Sequence, residues 1–369
     1  MSISEIVKTN SEKLRSVSMS FQNNSKFIED INNLECDGFG SPISQMLRQN
    51  YEESMREFGS NGDNRLVIIT DGEDESMVNG IYHNESFVLE YEEISRQFNS
   101  ERKPIDFFNK IDFIVYATIT PDYYFPGPGF VLQRNLGMQN VGVLDIRDQC
   151  SGFVYALSTA DQFIRSGMYK NILVIGAEIQ STFLNHTTEG RGVAVIFGDG
   201  AGAAVVQATT DPSHRILSTH LHADGTYAED LYVKDPGSSR PKRFYDDLFE
   251  DKNTGEVIMN GNMVFKHAVV RFPEVIKEAL DKNNLSPEDI DLLVPHQANL
   301  RISEYVRQQM GLPEEKVMNN IQKYGNTTAA SIPIALSEAW EMGKIKDGHL
   351  VCLAAFGSGF TWGSALIRW

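Results

Sequence analysis

The sequence predicts an α/β fold with a largely buried sheet. Three observations carry this. Short apolar runs rich in β-branched residues alternate with segments of helical periodicity. The runs are almost unbroken by polar residues, as strands covered on both faces must be. The alternation occurs on both sides of about residue 210, and nothing between reads as a flexible linker. Two packed halves follow: residues 1–210, whose first 110 are polar and divergent, and residues 211–369.

Residues 1–110 are irregular, with helices expected over 5–17 and 41–58 and a strand over 66–70. Residues 112–118 (DFIVYAT) form a strand, and the Pro- and Gly-rich TPDYYFPGPGF after it is a loop. Residues 141–146 are a second buried strand. Phe153, Leu157, Ala160 and Ile164 recur at helical spacing, so 151–166 is a helix, closed by Gly167. Residues 171–179 and 202–208 are strands, the second after the turn GDGAG. That turn resembles a dinucleotide fingerprint, but a phosphate-binding loop should open a helix, and a strand follows.

In the second round, 216–222 is a strand, 262–283 a helix, 291–295 a strand and 329–341 a helix. Residues 349–367 contain no Asp, Glu, Lys or Arg. They are long enough to cross a bilayer by the criterion of about 20 apolar residues. Gly357, Gly359 and Gly363 break any helix there, so the reading is strand, glycine turn, strand, over 349–355 and 363–369. No apolar segment opens the chain as a secretory leader would, and a soluble, cytoplasmic protein is expected.

Lys plus Arg total 33 against 50 Asp plus Glu, a net charge of −17. Such a chain repels phosphate backbones, which argues against nucleic acid as a partner. The three cysteines, Cys36, Cys150 and Cys352, show no CxxC spacing, so neither a disulfide framework nor a zinc site is expected.

Cys150 stands apart because it opens the helix from Ser151. A helix N-terminus stabilises thiolate, the nucleophilic form. Cys36 in a polar region and Cys352 in an apolar strand read as structural. His296 ends a strand and leads the polar HQANLR. A histidine there often merely caps a strand, but a reactive thiol needs a partner that handles protons, and histidine is the usual one. Asn326, in KYGNTTAASIP, reads alone as a helix cap. His220 and His222 share one strand face and could be two metal ligands, yet no third is evident. They read as structural, and no metal is expected.

Taken together, DIRDQCSGFVYALSTADQFIRSG, RGVAVIFGDGAGAAVV, VPHQANLRI, YGNTTAASIPIAL and AAFGSGFTWGSALIRW resemble the β-ketoacyl-acyl-carrier-protein synthase III family over about residues 111–369. The resemblance implies the thiolase fold: two similar βαβαβαββ halves in a five-layered αβαβα arrangement, usually a homodimer. It implies a Cys-His-Asn triad of Cys150, His296 and Asn326. Cys150 would accept an acyl group, with its own N–H and that of Ser358 as oxyanion hole. His296 and Asn326 would hold the malonyl thioester as carbon dioxide leaves, and the carbanion would give a β-ketoacyl thioester.

By the same resemblance Arg191 and Gly192 sit at the nucleotide end of coenzyme A. Asn299 and Arg301 line the pantetheine tunnel or its mouth, as do Met259, Gly261 and Phe265. Phe197 lines the acyl pocket, and Phe125 reaches into the partner's pocket. No cofactor is implied. The substrates are acyl-coenzyme A or acyl-carrier protein, and malonyl-carrier protein, with acyl carrier protein as partner.

The chain departs from the pattern in its first 110 residues, in Gln149 where alanine is usual, and in GIYHN at 80–84, where Tyr82 replaces an adenine-binding arginine. These departures point to a carrier-bound or unusual acyl donor, with Lys266 and Arg301 as local basic groups. Two alternatives stay open: a specialised ketosynthase or acyltransferase of secondary metabolism, and a non-catalytic partner subunit.

Overall fold

The computed structural model describes residues 110–182, 184, 185, 187, 188, 190–234, 237 and 257–369, and the backbone of 67–71. The helices expected over 5–17 and 41–58, together with Cys36 and Tyr82, lie outside these.

Continuous apolar runs become strands because both faces are covered. The first sheet is ordered β1-β5-β4-β2-β3: β1 (Val67–Asp71), β2 (Phe113–Ala117), β3 (Gly142–Ile146), β4 (Asn171–Glu178) and β5 (Gly200–Gln207). β3 and β4 flank β2 in parallel, while β5 runs antiparallel to β4 and β1 to β5. The second sheet, β6-β11-β10-β9, comprises β6 (Arg215–Ala223), β9 (Leu292–Pro295), β10 (Leu350–Gly357) and β11 (Thr361–Arg368). β7 (Leu231–Val233) and β8 (Val257–Met259) form a separate antiparallel pair. The charge-free segment is thus the hairpin β10–β11. Among the described residues no helix is long and apolar enough to cross a membrane.

Helices fill three layers around the two sheets. α1 (Pro128–Asn135) covers the outer face of the first, where its Leu132 joins Ile114, Tyr116 and Ile175. α2 (Gly152–Arg165) lies between the sheets, α3 (Arg191–Ala194) is a single turn, and α4 (Gly261–Lys282) and α5 (Leu300–Met310) cover the outer face of the second. After the short α6 (Ile321–Tyr324), α7 (Ser331–Glu341) joins α2 in the middle layer. Phe153, Leu157, Leu336 and Ala339 meet Val174 of one sheet and Leu353 of the other in one cluster. The five layers are those the resemblance implies.

Several boundaries differ from expectation for local reasons. The loop after β2 ends early, because Pro128 sits in the first turn of α1, where its fixed φ favours a helix. β5 starts at Gly200, two residues early, since GAGAA is small enough to pass under α7: a Cβ on Gly202 would lie 2.7 Å from Pro333 Cβ. α7 starts at Ser331, behind a 3₁₀ turn over Thr328–Ala330. Gly176 of β4 admits that turn: a Cβ there would lie 2.2 Å from Ala329 O.

The middle layer ties both sheets together, so truncation there is costly. Phe153 is fully buried, and Phe153→Ala should cost about 3–5 kcal/mol. Denaturant unfolding checks this; a loss below about 1 kcal/mol would remove Phe153 from the shared core.

Candidate active site

Cys150 lies between β3 and α2, in a 3₁₀ turn over Gln149–Ser151. The two residues before it have left-handed backbones, with φ of +32° at Asp148 and +41° at Gln149. Side chains rarely adopt these, and such strain persists only where surrounding contacts impose it. The β10–β11 turn is one such contact. A Cβ on Gly357 would lie 2.6 Å from Cys150 Cβ, so only glycine fits. Ser151 Oγ donates to Thr361 O (3.2 Å) and Thr361 Oγ1 to Ser358 O (3.1 Å), which joins the two turns.

Helix position alone predicts a stabilised thiolate at Cys150, and the structure corrects that. Burial pushes the thiol up to about 12, and the nearby Glu178 carboxylate adds to the push. The N–H groups of Ser358 and of Cys150 itself face the sulfur and oppose the push without overcoming it. The resting group is a thiol. Cys352 is also a free, buried thiol, inside β10 as expected of a structural residue.

His296 follows β9 and is 2% exposed. Its Nδ1 lies 2.6 Å from Ser331 Oγ. That hydroxyl donates its one proton to Thr328 O (2.9 Å) and accepts from Gln297 N (3.4 Å). It therefore accepts from Nδ1, which carries the ring proton. Burial lowers the imidazole to about 3, so it is neutral at pH 7. Nε2 is then a bare lone pair, buried without a partner.

Asn326 sits in the turn after α6. Its N donates to Ile196 O (2.8 Å) and its O accepts from Gly198 N (3.1 Å), a bridge alongside Phe197. Its Oδ1 accepts from Thr328 N (2.9 Å), as the capping reading requires. Nδ2 has no partner among the described residues. The three turns converge through Thr328–Ser331. Asn326 caps that stretch, His296 bonds its Ser331, and a Cβ on Gly152 would lie 3.3 Å from the Ala329 Cβ.

The other expected residues divide into two groups. Phe197 is half-buried beside Asn326. Met259 pairs with Leu231, whose carbonyl accepts from the Ser358 hydroxyl, so β7–β8 abuts the Ser358 turn. Gly261, Phe265 and Lys266 lie exposed on the first turns of α4. Arg191 and Gly192 open α3, and Asn299 and Arg301 open α5; all four are exposed at the surface. Phe125 is 81% exposed.

Sequence reasoning missed Ser331, Gln297 and Glu178. Gln297 holds the end of β9: its Oε1 accepts from Asn320 N (2.9 Å) and its Nε2 donates to Pro295 O (2.7 Å). Its place beside His296 was the available signal. At the other candidate cluster, Glu278 of α4 hydrogen-bonds His222 Nε2 (2.6 Å) and lies 3.2 Å from His220 Nδ1. Among the described residues no group of three or more His, Cys, Asp or Glu is placed to hold a metal ion.

Comparison with known proteins supports the family resemblance. The family model for 3-oxoacyl-[acyl-carrier-protein] synthase III matches residues 144–225, and that for its C-terminal part matches 280–369. A β-ketoacyl-[acyl-carrier-protein] synthase III of Caldanaerobacter subterraneus is 46% identical over 259 residues, 70% of this chain and 76% of that one. One from Xanthomonas campestris is 47% identical over 262 residues, 71% and 77%. The crystal structure of 3-oxoacyl-[acyl-carrier-protein] synthase III from Aquifex aeolicus superposes with a TM-score of 0.64 at 42% identity, covering 71% of this chain and 78% of that one. A priming β-ketosynthase of the R1128 polyketide pathway superposes with a TM-score of 0.63 at 29% identity, over 73% and 79%.

Ser331 sets which nitrogen of His296 is bare. Ser331→Ala should redistribute the proton between Nδ1 and Nε2, read by ¹⁵N NMR of histidine-labelled protein, and slow turnover ~10- to 100-fold. An unchanged tautomer would remove Ser331 from this role.

Proposed function

The chain belongs to the β-ketoacyl-[acyl-carrier-protein] synthase III family, and we propose that it condenses an acyl group with a malonyl-carrier protein through Cys150, His296 and Asn326. It is an acyltransferase. The observation that supports the assignment of residues is that the turns of Cys150, His296 and Asn326 converge on Thr328–Ser331, with His296 Nε2 buried and unpartnered.

The steps balance around one proton. The Cys150 sulfur attacks the thioester carbonyl while its proton passes to His296 Nε2, and the N–H groups of Cys150 and Ser358 hold the oxyanion. The donor leaves as a thiolate and takes that proton from the imidazolium, so the acyl group is on sulfur and His296 is again neutral. The malonyl thioester then loses carbon dioxide; its enolate oxygen accepts from Asn326 Nδ2 and from His296 Nε2–H, formed as the ring takes up one proton from solvent. The enolate carbon attacks the acyl carbonyl and gives the β-ketoacyl thioester. The thiolate released at Cys150 recovers its proton from His296. No step needs a metal or cofactor.

Arg191, Gly192, Asn299, Arg301, Met259, Gly261 and Phe265 are proposed to receive coenzyme A or the carrier arm, and Phe197 the acyl chain. Acyl carrier protein is the proposed partner. The chain divides, on this reading, at 210/211, in the connection from β5 to β6. A cytoplasmic setting is supported by the free thiols of Cys150 and Cys352. A homodimer is supported by β3, which among the described residues pairs only with β2 and forms a half-buried edge of the sheet. An edge of that kind is a template for pairing. The exposed Tyr123, Tyr124 and Phe125 lie on the same side, with Arg147 just past β3 over the Tyr124 ring.

Incubation with an acyl thioester should modify Cys150, and Cys150→Ala should abolish condensation. His296→Ala and Asn326→Ala should lose about 100- to 1000-fold in malonyl decarboxylation. Wild-type decarboxylation by both variants would refute these roles, and mapping the adduct to Cys352 would refute the first. Light scattering should give twice the chain mass, and Phe125→Asp should weaken the dimer; a fully active monomer would overturn the dimer.

A further inference from the structure

Both proposed enolate donors are fixed by one residue that takes no part in the steps above. Thr328 is 1% exposed. Its N donates to Asn326 Oδ1 (2.9 Å), and its O accepts from Ser331 Oγ (2.9 Å). Ser331 Oγ in turn accepts from His296 Nδ1 (2.6 Å). Thr328 thus orients the Asn326 amide through its N and the His296 ring through its O. Its backbone is left-handed, with φ of +50°. For a β-branched residue that conformation is unfavourable, and it persists only where neighbours impose it.

The neighbour bonded to the Thr328 side chain is Gln180. Its Nε2 donates to Thr328 Oγ1 (2.7 Å). Gln180 is 2% exposed and opens the 3₁₀ turn Gln180–Thr182 that follows β4. That turn is itself pinned. Ser181 N and Ser181 Oγ both donate to the Asp199 carboxylate, at 2.8 and 2.6 Å. Asp199 follows Gly198, whose N donates to Asn326 O (3.1 Å). The turn of Gln180 and the turn of Asn326 are therefore joined at two points, through Thr328 and through Asp199. Packing alone asks for neither Gln180 nor Thr328. A buried amide must be given partners that a methionine does not need. A left-handed position is filled most easily by glycine or asparagine. Two unfavourable choices, bonded to each other, place the N and O of Thr328.

We propose that Gln180 is a positioning residue for decarboxylation: by holding the Thr328 hydroxyl it sets the left-handed turn that aims the Asn326 amide and, through Ser331, keeps the resting ring proton of His296 on Nδ1. The inference rests on the reading of His296 and Asn326 as enolate donors, but part of its test needs no chemistry.

The test compares Gln180→Met, Thr328→Val and the double variant in the full chain. Methionine keeps the length and removes the donor, while valine keeps the shape and removes the acceptor. In each single variant kcat for malonyl thioester decarboxylation should fall about tenfold, since small misplacements at the reacting atoms cost rate. KM should stay within about twofold, as for an interaction that matters chiefly in the transition state. The ¹⁵N shifts of the His296 ring, read on histidine-labelled protein, should move towards a mixture of the two tautomers. Alkylation of Cys150 by iodoacetamide should stay within about twofold of wild type, because no hydrogen bond of this series reaches the thiol. The double variant should lose no more than the worse single variant, as residues that share one interaction do. Wild-type decarboxylation in both single variants would overturn the proposal. So would an unmoved His296 tautomer, additive losses in the double variant, or alkylation that changes in step with decarboxylation, the sign of a general loosening. Thr328→Val reaches the same bond from its other end and decides the matter if Gln180→Met does not fold. A wild-type chain that fails to decarboxylate malonyl thioester would instead refute the proposed function, and the ring shifts would then decide on Gln180.

Discussion

Burial is the constraint on which the rest of this site depends. A polar group taken out of water must find a partner or lose free energy of about 1–3 kcal/mol. At the junction of the two sheets most side chains find one. Gln180 Nε2 donates to Thr328 Oγ1 (2.7 Å), Gln297 satisfies the end of β9, and Ser331 is filled by one donation and two acceptances. Against that background the bare His296 Nε2 is informative. It is an acceptor left unmet at a buried position. The same burial holds Cys150 as a thiol and His296 as a neutral imidazole. Both are thus uncharged until a substrate arrives that develops charge of its own.

The close packing that produces this burial is made by small residues. Gly176 lets the Thr328–Ala330 turn approach β4, and Gly357 lets the Ser358 turn approach Cys150. These contacts join residues of the first sheet to residues of the second. The proposed oxyanion donors therefore come from both: the N–H of Cys150 follows β3, and that of Ser358 follows β10. Neither half holds the site alone. The stability of the junction and the geometry of the site are one property, with Phe153 and Leu336 packed in the same middle layer.

The fold was largely legible because buried parallel strands leave long apolar runs, as in residues 112–118 and 171–179. The helix of Phe153, Leu157, Ala160 and Ile164 was legible by period, and Gly167 closes it with φ +75°. What escaped was set by tertiary contact. Pro128 began a helix inside a segment that reads as loop, and GAGAA became strand only because α7 lies across it. Cys150 and His296 were visible as polar-turn residues at strand ends, and Asn326 as a turn residue before a helix. The state of the thiol was not: a helix N-terminus is written locally, whereas burial and Glu178 are supplied by distant segments. Glu178 reads in sequence as a polar strand end. Its partners Thr118 and Thr120 lie 58–60 residues earlier, a separation no periodicity reports.

The two donors proposed for the enolate differ in kind. Asn326 Nδ2 carries its hydrogens in every state of the cycle, and its Oδ1 is already held by Thr328 N, so the amide cannot flip without losing that bond. His296 Nε2 can donate only after it has gained a proton, because Ser331 keeps the resting proton on Nδ1. In the proposed steps that proton comes from solvent, because burial holds the imidazole at about 3 and the departing thiolate reclaims the proton of Cys150. The enolate's own charge makes the uptake favourable, since a negative oxygen beside Nε2 raises the affinity of the ring for a proton. The resting site thus offers a malonyl thioester one donor and one lone pair, and the second donor forms together with the charge it holds. Which nitrogen takes that proton is a consequence of the one Ser331 leaves bare.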